Sequence, residues 1–431
     1  MKSLFRPGTL FLAMLLGLGV LHAGIAGADD TPSVDAGFST ARLARVDRGI
    51  ESAIAEQQIA GAVALIQRHG KTVYFKASGD AGPGKAMRTD TLFRIASMTK
   101  PITSTAVMML FEEGRFLLDD PIGRYLPEFD RDMQVVRHTA EGYELDPAKG
   151  PITIRQLLTH TSGISYRFMA EPPLDKVYAD ANVDDGIGKG SQDLGAAIAA
   201  LATLPLAHHP GEGWTYGLST DVLGRLVEVL AGQPFGEFLA ERIFTPLGMH
   251  DTYFSVPQSR QGRISAVYRQ DASGRLVRIR DGKQDDGQEE FSVDAPYSGD
   301  NPYQSGGAGL VSSAADYARF AQMILNGGEL DGRRLLGRKT VELMTSDQIG
   351  RYGISSFDGQ GFALGFSSDG GPAASGAIGS PGVIGWSGYY NTTFWIDPEE
   401  QLVAVLMTQR YPFGIDLLEK FRVLVYQAII D

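Results

Sequence analysis

No cysteine occurs in the 431 residues. Disulfides, thiol nucleophiles and cysteine-ligated metal centres are therefore excluded from the outset. Histidine is also scarce, at seven residues, and no H-E-x-x-H motif is present. The only histidine cluster is His208-His209. Adjacent side chains point in different directions, so this pair reads as a solvated loop entering a turn, and no metal is expected. No G-x-S-x-G elbow and no glycine-rich phosphate loop with a lysine appear, so the common Ser-His-Asp arrangement lacks its signature and no cofactor is implied. Basic charge is short as well: 39 Lys and Arg stand against 51 Asp and Glu. Such an acidic surface excludes nucleic acid and anionic lipid as expected partners.

Long apolar runs are missing too. The one candidate lies at the start, where Lys2 and Arg6 precede an apolar stretch from Thr9 to Val20 and then Ala26-Gly27-Ala28. This stretch is shorter than the ~20 residues that a spanning helix needs. It reads as a signal peptide, residues 1–28, cleaved before Asp29 to release a periplasmic or secreted protein without a stable membrane anchor. Cleavage removes Lys2 and Arg6 but no acid, taking the formal charge from −12 to −14.

The mature chain has the hydrophobic content of an ordinary globular protein, 43%. Its length exceeds what one core usually spans. AGAVALIQRHGKTVYFKASG reads as two strands around a turn at His69-Gly70-Lys71. Helices are expected over ITSTAVMMLFEEG, 152–163, 194–206, 219–232 and 235–249, the last ended by Pro246 and Gly248. Residues 383–409 read as two strands joined at Asp397-Pro398-Glu399-Glu400, followed by a final amphipathic helix. Hairpins join the strands, so a mainly antiparallel sheet built from both chain ends is expected, an α+β fold. The expected division is a sheet domain of residues 29–96 and 300–431 and a mostly helical domain of 97–299. Loops near 165–192 and 257–305 are expected to wall a pocket. Oligomeric state cannot be read from these patterns.

Three segments carry chemistry. In RIASMTKPITS, Ser97 opens a helix and Lys100 lies one turn on, on the same face. An amine there can approach the hydroxyl, and the helix N-terminus favours a developing alkoxide. Pro101 is tolerated because the first turn has unpaired N–H groups. S-x-x-K alone is common, and serine is an ordinary helix cap. Downstream, PGEGWTYGLSTDVLG places Tyr216 just before a helix, where a phenol can serve as a second acid or base. Near the end, Trp386-Ser387-Gly388 lies on an apparent strand whose edge could offer N–H groups to an oxyanion. Each residue has a plainer structural explanation. The ordered set of three does not.

With FRIASMTKPITS, LLTHTSGI, PGEGWTYGLSTDVLG, PLGMHDT, SGGAGLVSSAADYARF and IGWSGYYNTTFWIDP, the chain from Gly61 onward resembles the serine β-lactamase and penicillin-binding-protein superfamily. It looks most like the class C-like branch and the related carboxylesterases. The resemblance implies the β-lactamase/transpeptidase-like fold, with Ser97 as acylated nucleophile, Lys100 as its base and Tyr216 as partner acid or base. It also implies an oxyanion hole from the backbone N–H groups of Ser97 and Tyr389, and substrate contacts at Leu218, Trp386, Ser387 and Gly388.

Two departures bear on the substrate. Tyr216-Gly217-Leu218 replaces the usual Tyr-x-Asn, and Trp386 stands where Lys or His begins the third motif. Charge-assisted hydrogen bonds contribute on the order of 1.5–3 kcal/mol, so losing the cation should weaken carboxylate recognition about tenfold or more. A neutral small-molecule ester is therefore the expected substrate. The alternatives are a class C-like β-lactamase or DD-peptidase, an acyltransferase or amidase, and a penicillin-binding sensor without turnover.

Overall fold

The structure is a computed structural model describing residues 32–33, 36–140, 142–188, 190–283, 290–297, 299, 301–357 and 360–431. The expected leader, residues 1–28, lies outside the described residues. Among the described residues no helix is long and apolar enough to cross a membrane.

Eight strands form one antiparallel sheet. The N-terminal part supplies β1 (Gly61–Arg68), β2 (Lys71–Gly82) and β3 (Lys85–Ala86). The C-terminal part supplies β4 (Gly361–Phe362), β5 (Ser367–Asp369), β6 (Val383–Gly388), β7 (Thr392–Asp397) and β8 (Leu402–Met407). The spatial order is β4-β5-β6-β7-β8-β1-β2-β3, so β8 and β1 join the two chain ends by main-chain hydrogen bonds.

Alternation sets the two faces of this sheet. Ala62, Ala64 and Ile66 of β1, with Leu402, Ala404 and Leu406 of β8, pack in one apolar cluster. Their neighbours Val63, Leu65, Val403, Val405 and Met407 pack in the other. A strand covered on both sides reads as a continuous apolar run, as AGAVALI does. The first face is closed by α1 (Thr40–Ala55) and the last helix, Leu417–Tyr426. In α1, Leu43, Val46, Ile50 and Ala53 recur at helical spacing and are buried.

On the other face, α2 (Thr99–Glu112) is buried on all sides from Thr99 to Leu110. It packs against α3 (Ser219–Ala231), and α4 (Ala314–Leu325) packs on the sheet. With α4 placed between them in sequence, the closing helix Leu417–Tyr426 is α5. Gly114 (φ 70°) ends the turn after α2, and Gly232 (φ 69°) caps α3 in the left-handed region.

Several expected elements differ. Residues 383–409 form three strands, because Tyr389–Asn391 makes a further turn. Asn391 adopts φ 60° there, and its N–H donates to Gly388 O at 2.9 Å. The helix expected over 152–163 covers only Ile154–Leu158, since the buried His160 takes φ 56°. Pro246 lies inside the expected 235–249 helix and does not end it. A π-helical stretch, Ala240–Phe244, precedes it, and Gly248 (φ 65°) provides the stop. The middle of the chain also holds a hairpin, Gln134–Thr139 with Gly142–Pro147, that no helical reading anticipated.

Phe421 of α5 is fully buried and meets Trp395 of β7 edge-on at 5.4 Å. Phe421→Ala should cost about 3–5 kcal/mol of stability. The expected outcome is a clearly lower urea midpoint, and an unchanged midpoint would refute this account of the outer layer.

Candidate active site

The chain reaches Ser97 through a constrained turn. Ala96 adopts φ 42°, a left-handed conformation costly for a residue with a Cβ. The surroundings hold it there. Ile95 N–H donates to Leu310 O at 3.0 Å, and the buried Arg94 donates to Ser265 O and Val293 O. A short 3₁₀ turn, Ala96–Met98, then feeds directly into α2.

One helical turn on, Lys100 is completely buried. Its Nζ lies 3.2 Å from Ser97 Oγ, 3.0 Å from Tyr166 Oη and 2.8 Å from Gly307 O. Three acceptors match the three N–H bonds of an ammonium. A neutral amine fits equally, donating twice and accepting from the Ser97 hydroxyl. The amine can thus hold either charge without an unmade hydrogen bond, which a group that passes a proton requires.

Tyr216 is close but engaged differently from the sequence expectation. Lys100 Nζ sits over its ring, 4.5 Å from the centroid, a cation–π placement. The Tyr216 hydroxyl accepts instead from Trp386 Nε1 at 3.2 Å. Tyr166 is the phenol bonded directly to the amine. In the sequence it falls at the start of the 165–192 loop, expected only to wall the pocket. A tyrosine three residues beyond Gly163 of the T-S-G turn was the available signal, but nothing in its spacing tied it to Lys100. Burial first, then the neighbouring Tyr216 and Asp221, push the Tyr166 phenol well above its ordinary range, so it stays protonated. His160 packs 4.9 Å from the Tyr216 ring, and its Nδ1 accepts from Gly217 N–H at 3.4 Å. Burial, and next the charge of Lys100, hold its imidazole well below the usual range, and so neutral.

Ser97, Tyr216, Trp386, Ser387, Gly388 and Tyr389 line one cavity of about 940 Å³, together with Tyr166, Phe168, Met169, Ile187 and Phe357. The turn after β6 brings Tyr389 to Ser97. Gly388 makes this approach possible, because a Cβ there would stand 2.3 Å from Ile95 O. Ser387 Oγ donates to Thr393 Oγ1 at 2.9 Å. Leu218 does not join the wall. It is 1% exposed and packs in the main core, so its side chain faces apolar neighbours.

Rings dominate the wall. Trp386 lies 5.5 Å from Tyr216 and 5.3 Å from Phe362, and Trp214 stacks on Tyr216 at 5.9 Å. Among the described lining residues the one cation is Arg422, paired with Asp369 at 2.8 Å. The arrangement offers a serine hydroxyl, a buried amine and a second phenol beneath a largely apolar cavity. Such a set can carry out acyl transfer.

Known proteins bear on this geometry. Esterase EstB of Burkholderia gladioli is 35% identical over 384 residues, covering 87% of this chain and 92% of the relative. The acyltransferase calJ of Penicillium decumbens is 27% identical over 367 residues, covering 80% and 82%. The solved structure of EstCE1, a hydrolase with promiscuous acyltransferase activity, superposes with a TM-score of 0.77 at 28% identity. That match covers 90% of this chain and 99% of the other. The Beta-lactamase family profile matches residues 46–426, nearly the whole described chain, and the protein belongs to that family as an enzyme of β-lactamase fold allied to the carboxylesterases.

Proposed function

We propose that this esterase of β-lactamase fold cleaves neutral carboxylic esters through an acyl-enzyme on Ser97. The observation that carries the reading is the Lys100 amine, buried under the cavity floor and 3.2 Å from Ser97 Oγ. In the acylation step the Ser97 O–H bond breaks and its proton passes to Lys100 Nζ. Oγ bonds to the ester carbonyl carbon while the carbonyl π pair moves to oxygen. Collapse expels the alkoxide, which takes the proton back from Lys100 directly or through a phenol. Water then repeats the sequence on the acyl-enzyme. The backbone N–H groups of Ser97 and Tyr389 are assigned to the oxyanion, because both residues border the cavity beside the nucleophile.

Two phenols surround the amine, and their contacts divide the work. Tyr166 is bonded to Lys100, stays protonated and suits holding the amine in place. Tyr216 lies at the cavity wall with its hydroxyl held by Trp386, and suits delivery to the leaving group. Preference for esters over β-lactams follows from Trp386, which supplies an indole where a carboxylate-bearing substrate would need a cation.

A second reading, acyl transfer to an alcohol, is favoured by the apolar wall beside Ser97. Tyr166, Phe168, Met169, Tyr216 and Trp386 there suit an acyl chain and an alcohol acceptor. Added alcohol should then divert acyl groups from water, visible as a transesterified product. The absence of such product at high alcohol would leave hydrolysis alone.

Ser97→Ala should lower turnover of a short-chain nitrophenyl ester by about 10³-fold or more while leaving the fold intact by circular dichroism. Unchanged hydrolysis would overturn the reading. Tyr166→Phe should reduce kcat about 10- to 100-fold. The wild-type enzyme should turn over the nitrophenyl ester at least tenfold faster than a chromogenic cephalosporin, and the reverse order would make it a β-lactamase in practice. The proposal includes export. Intact mass of the protein recovered outside the cytoplasm should correspond to a chain starting at Asp29, and an uncleaved leader would contradict this.

A further inference from the structure

Behind Lys100 and Tyr166 lies a carboxylate that the mechanism above does not use. Asp221 sits in the first turn of α3 and is completely buried. Its Oδ1 accepts from Ser305 Oγ at 2.6 Å and from Tyr303 Oη at 3.1 Å. Its Oδ2 is buried and makes no well-formed hydrogen bond among the described residues, with the Gly307 amide nearby.

The unpartnered oxygen is aimed at the site. Gly307, whose carbonyl accepts from Lys100, separates Asp221 from Tyr166. A Cβ built on Gly307 would stand 2.5 Å from Asp221 Oδ2 and 2.9 Å from Tyr166 Oη. The bare face of this glycine is therefore where the carboxylate and the phenol converge, and no other residue type fits there. Since Lys100 donates to Tyr166 Oη, the phenol's own proton is free to turn toward Asp221.

Burial pushes the Asp221 carboxyl up, while Ser305, the charge of Lys100, Tyr303 and the Gly307 amide hold it down. The charged and titratable groups around the pair are Tyr166, Tyr216 and His160 near Lys100, Tyr303 near Asp221, and Asp184 and Asp185 on the far side of Tyr166 and Tyr303. Neither of these two acids is hydrogen-bonded to the amine, whose bonds go to Ser97, Tyr166 and Gly307. A helix-pinning role alone could be filled by a neutral side chain, and a buried carboxylate with an oxygen left unpaired is costly.

We propose that Asp221 is a positioning residue of the acyl-transfer site: its carboxylate orients the Tyr166 hydroxyl and balances the positive charge that develops on Lys100 as it takes the Ser97 proton. This rests on the reading of Ser97 and Lys100 as the reacting pair. No proton leaves Tyr166 in this role. The Ser97 proton resides on Lys100, whose N–H points to Tyr166 Oη, and Tyr166 faces Asp221 Oδ2 across Gly307 without a hydrogen bond between them. The phenol dipole carries the carboxylate's field to the ammonium without direct contact. When the alkoxide departs with the proton, the amine is neutral again.

Asp221→Asn keeps the shape and removes the charge. On a nitrophenyl ester kcat should fall about 10- to 100-fold with KM within twofold of the parent. Labelling of Ser97 by a fluorophosphonate should slow in parallel. Combined with Tyr166→Phe, the two losses should be far from additive, because one acts through the other. A kcat within twofold of the parent, a loss confined to KM, or an additive double variant would each overturn the proposal. If Asp221→Asn does not fold, Tyr303→Phe is the second variant. It frees a bond to Oδ1 and should lower kcat two- to fivefold at constant KM, and an unchanged kcat there would also count against the role. Ser97→Ala separates the two claims. An active Ser97→Ala removes the reacting pair itself, whereas an inactive one beside a fully active Asp221→Asn removes only Asp221.

Discussion

The burial of one amine organises this molecule. Lys100 lies inside α2 with no exposure, and its three hydrogen-bond partners come from the 3₁₀ turn at Ser97, the loop at Tyr166 and the strap at Gly307. An amine that deep is costly to bury unless all its bonds are met, so each segment is fixed by the need to meet them. The strained Ala96, the bare Gly307 and the bare Gly388 are consequences of how closely backbone must approach this point. Strain of this kind persists only where the surroundings over-determine it. The Arg94 contacts and the antiparallel sheet supply that support.

The same constraint explains how the fold delivers the site. Ser97 enters from the N-terminal part of the chain and the Trp386-Ser387-Gly388 edge from the C-terminal part, and they meet because β8 pairs with β1. Once that seam is set, β6 and β7 place the Tyr389 turn beside Ser97. The middle of the chain then needs only to bring phenols and rings to the open side. Its short helices and loops suit that, since side chains and not a ladder of backbone bonds do the contacting.

Much of this was legible in residue order, and the limits have physical causes. The strands at both ends, the antiparallel pairing, α2, α3 and α5 follow from periodicity and stop residues that act locally. Ser97 and Lys100 share a helix, so spacing alone brought them together. The turn at Tyr389–Asn391 was hidden because Asn391 in a left-handed conformation leaves no glycine to mark it. Leu218 was expected at the wall from the register of its motif, but the start of α3 directs it into the core. Tyr166 and Asp221 lay beyond reach for another reason. Tyr166 bonds to Lys100 across 66 positions and Asp221 lies 121 positions on, behind Gly307, and no local pattern encodes a meeting of that kind.

Substrate choice rests on a different balance. The cavity rings Tyr216, Phe357 and Trp386 are braced by contacts with one another and with Trp214 and Phe362 behind them, so they have few ways to reshape around a charged group. Trp386 is held on both sides, by its bond to Tyr216 and by Phe362. Its indole therefore fixes the Tyr216 hydroxyl and the apolar wall with one side chain. Replacing it with a lysine would supply a cation for a carboxylate but would also release Tyr216. On the proposed reading, the residue that disfavours acidic substrates is thus the one that holds the Tyr216 hydroxyl, which would couple ester preference to the proton-transfer geometry itself.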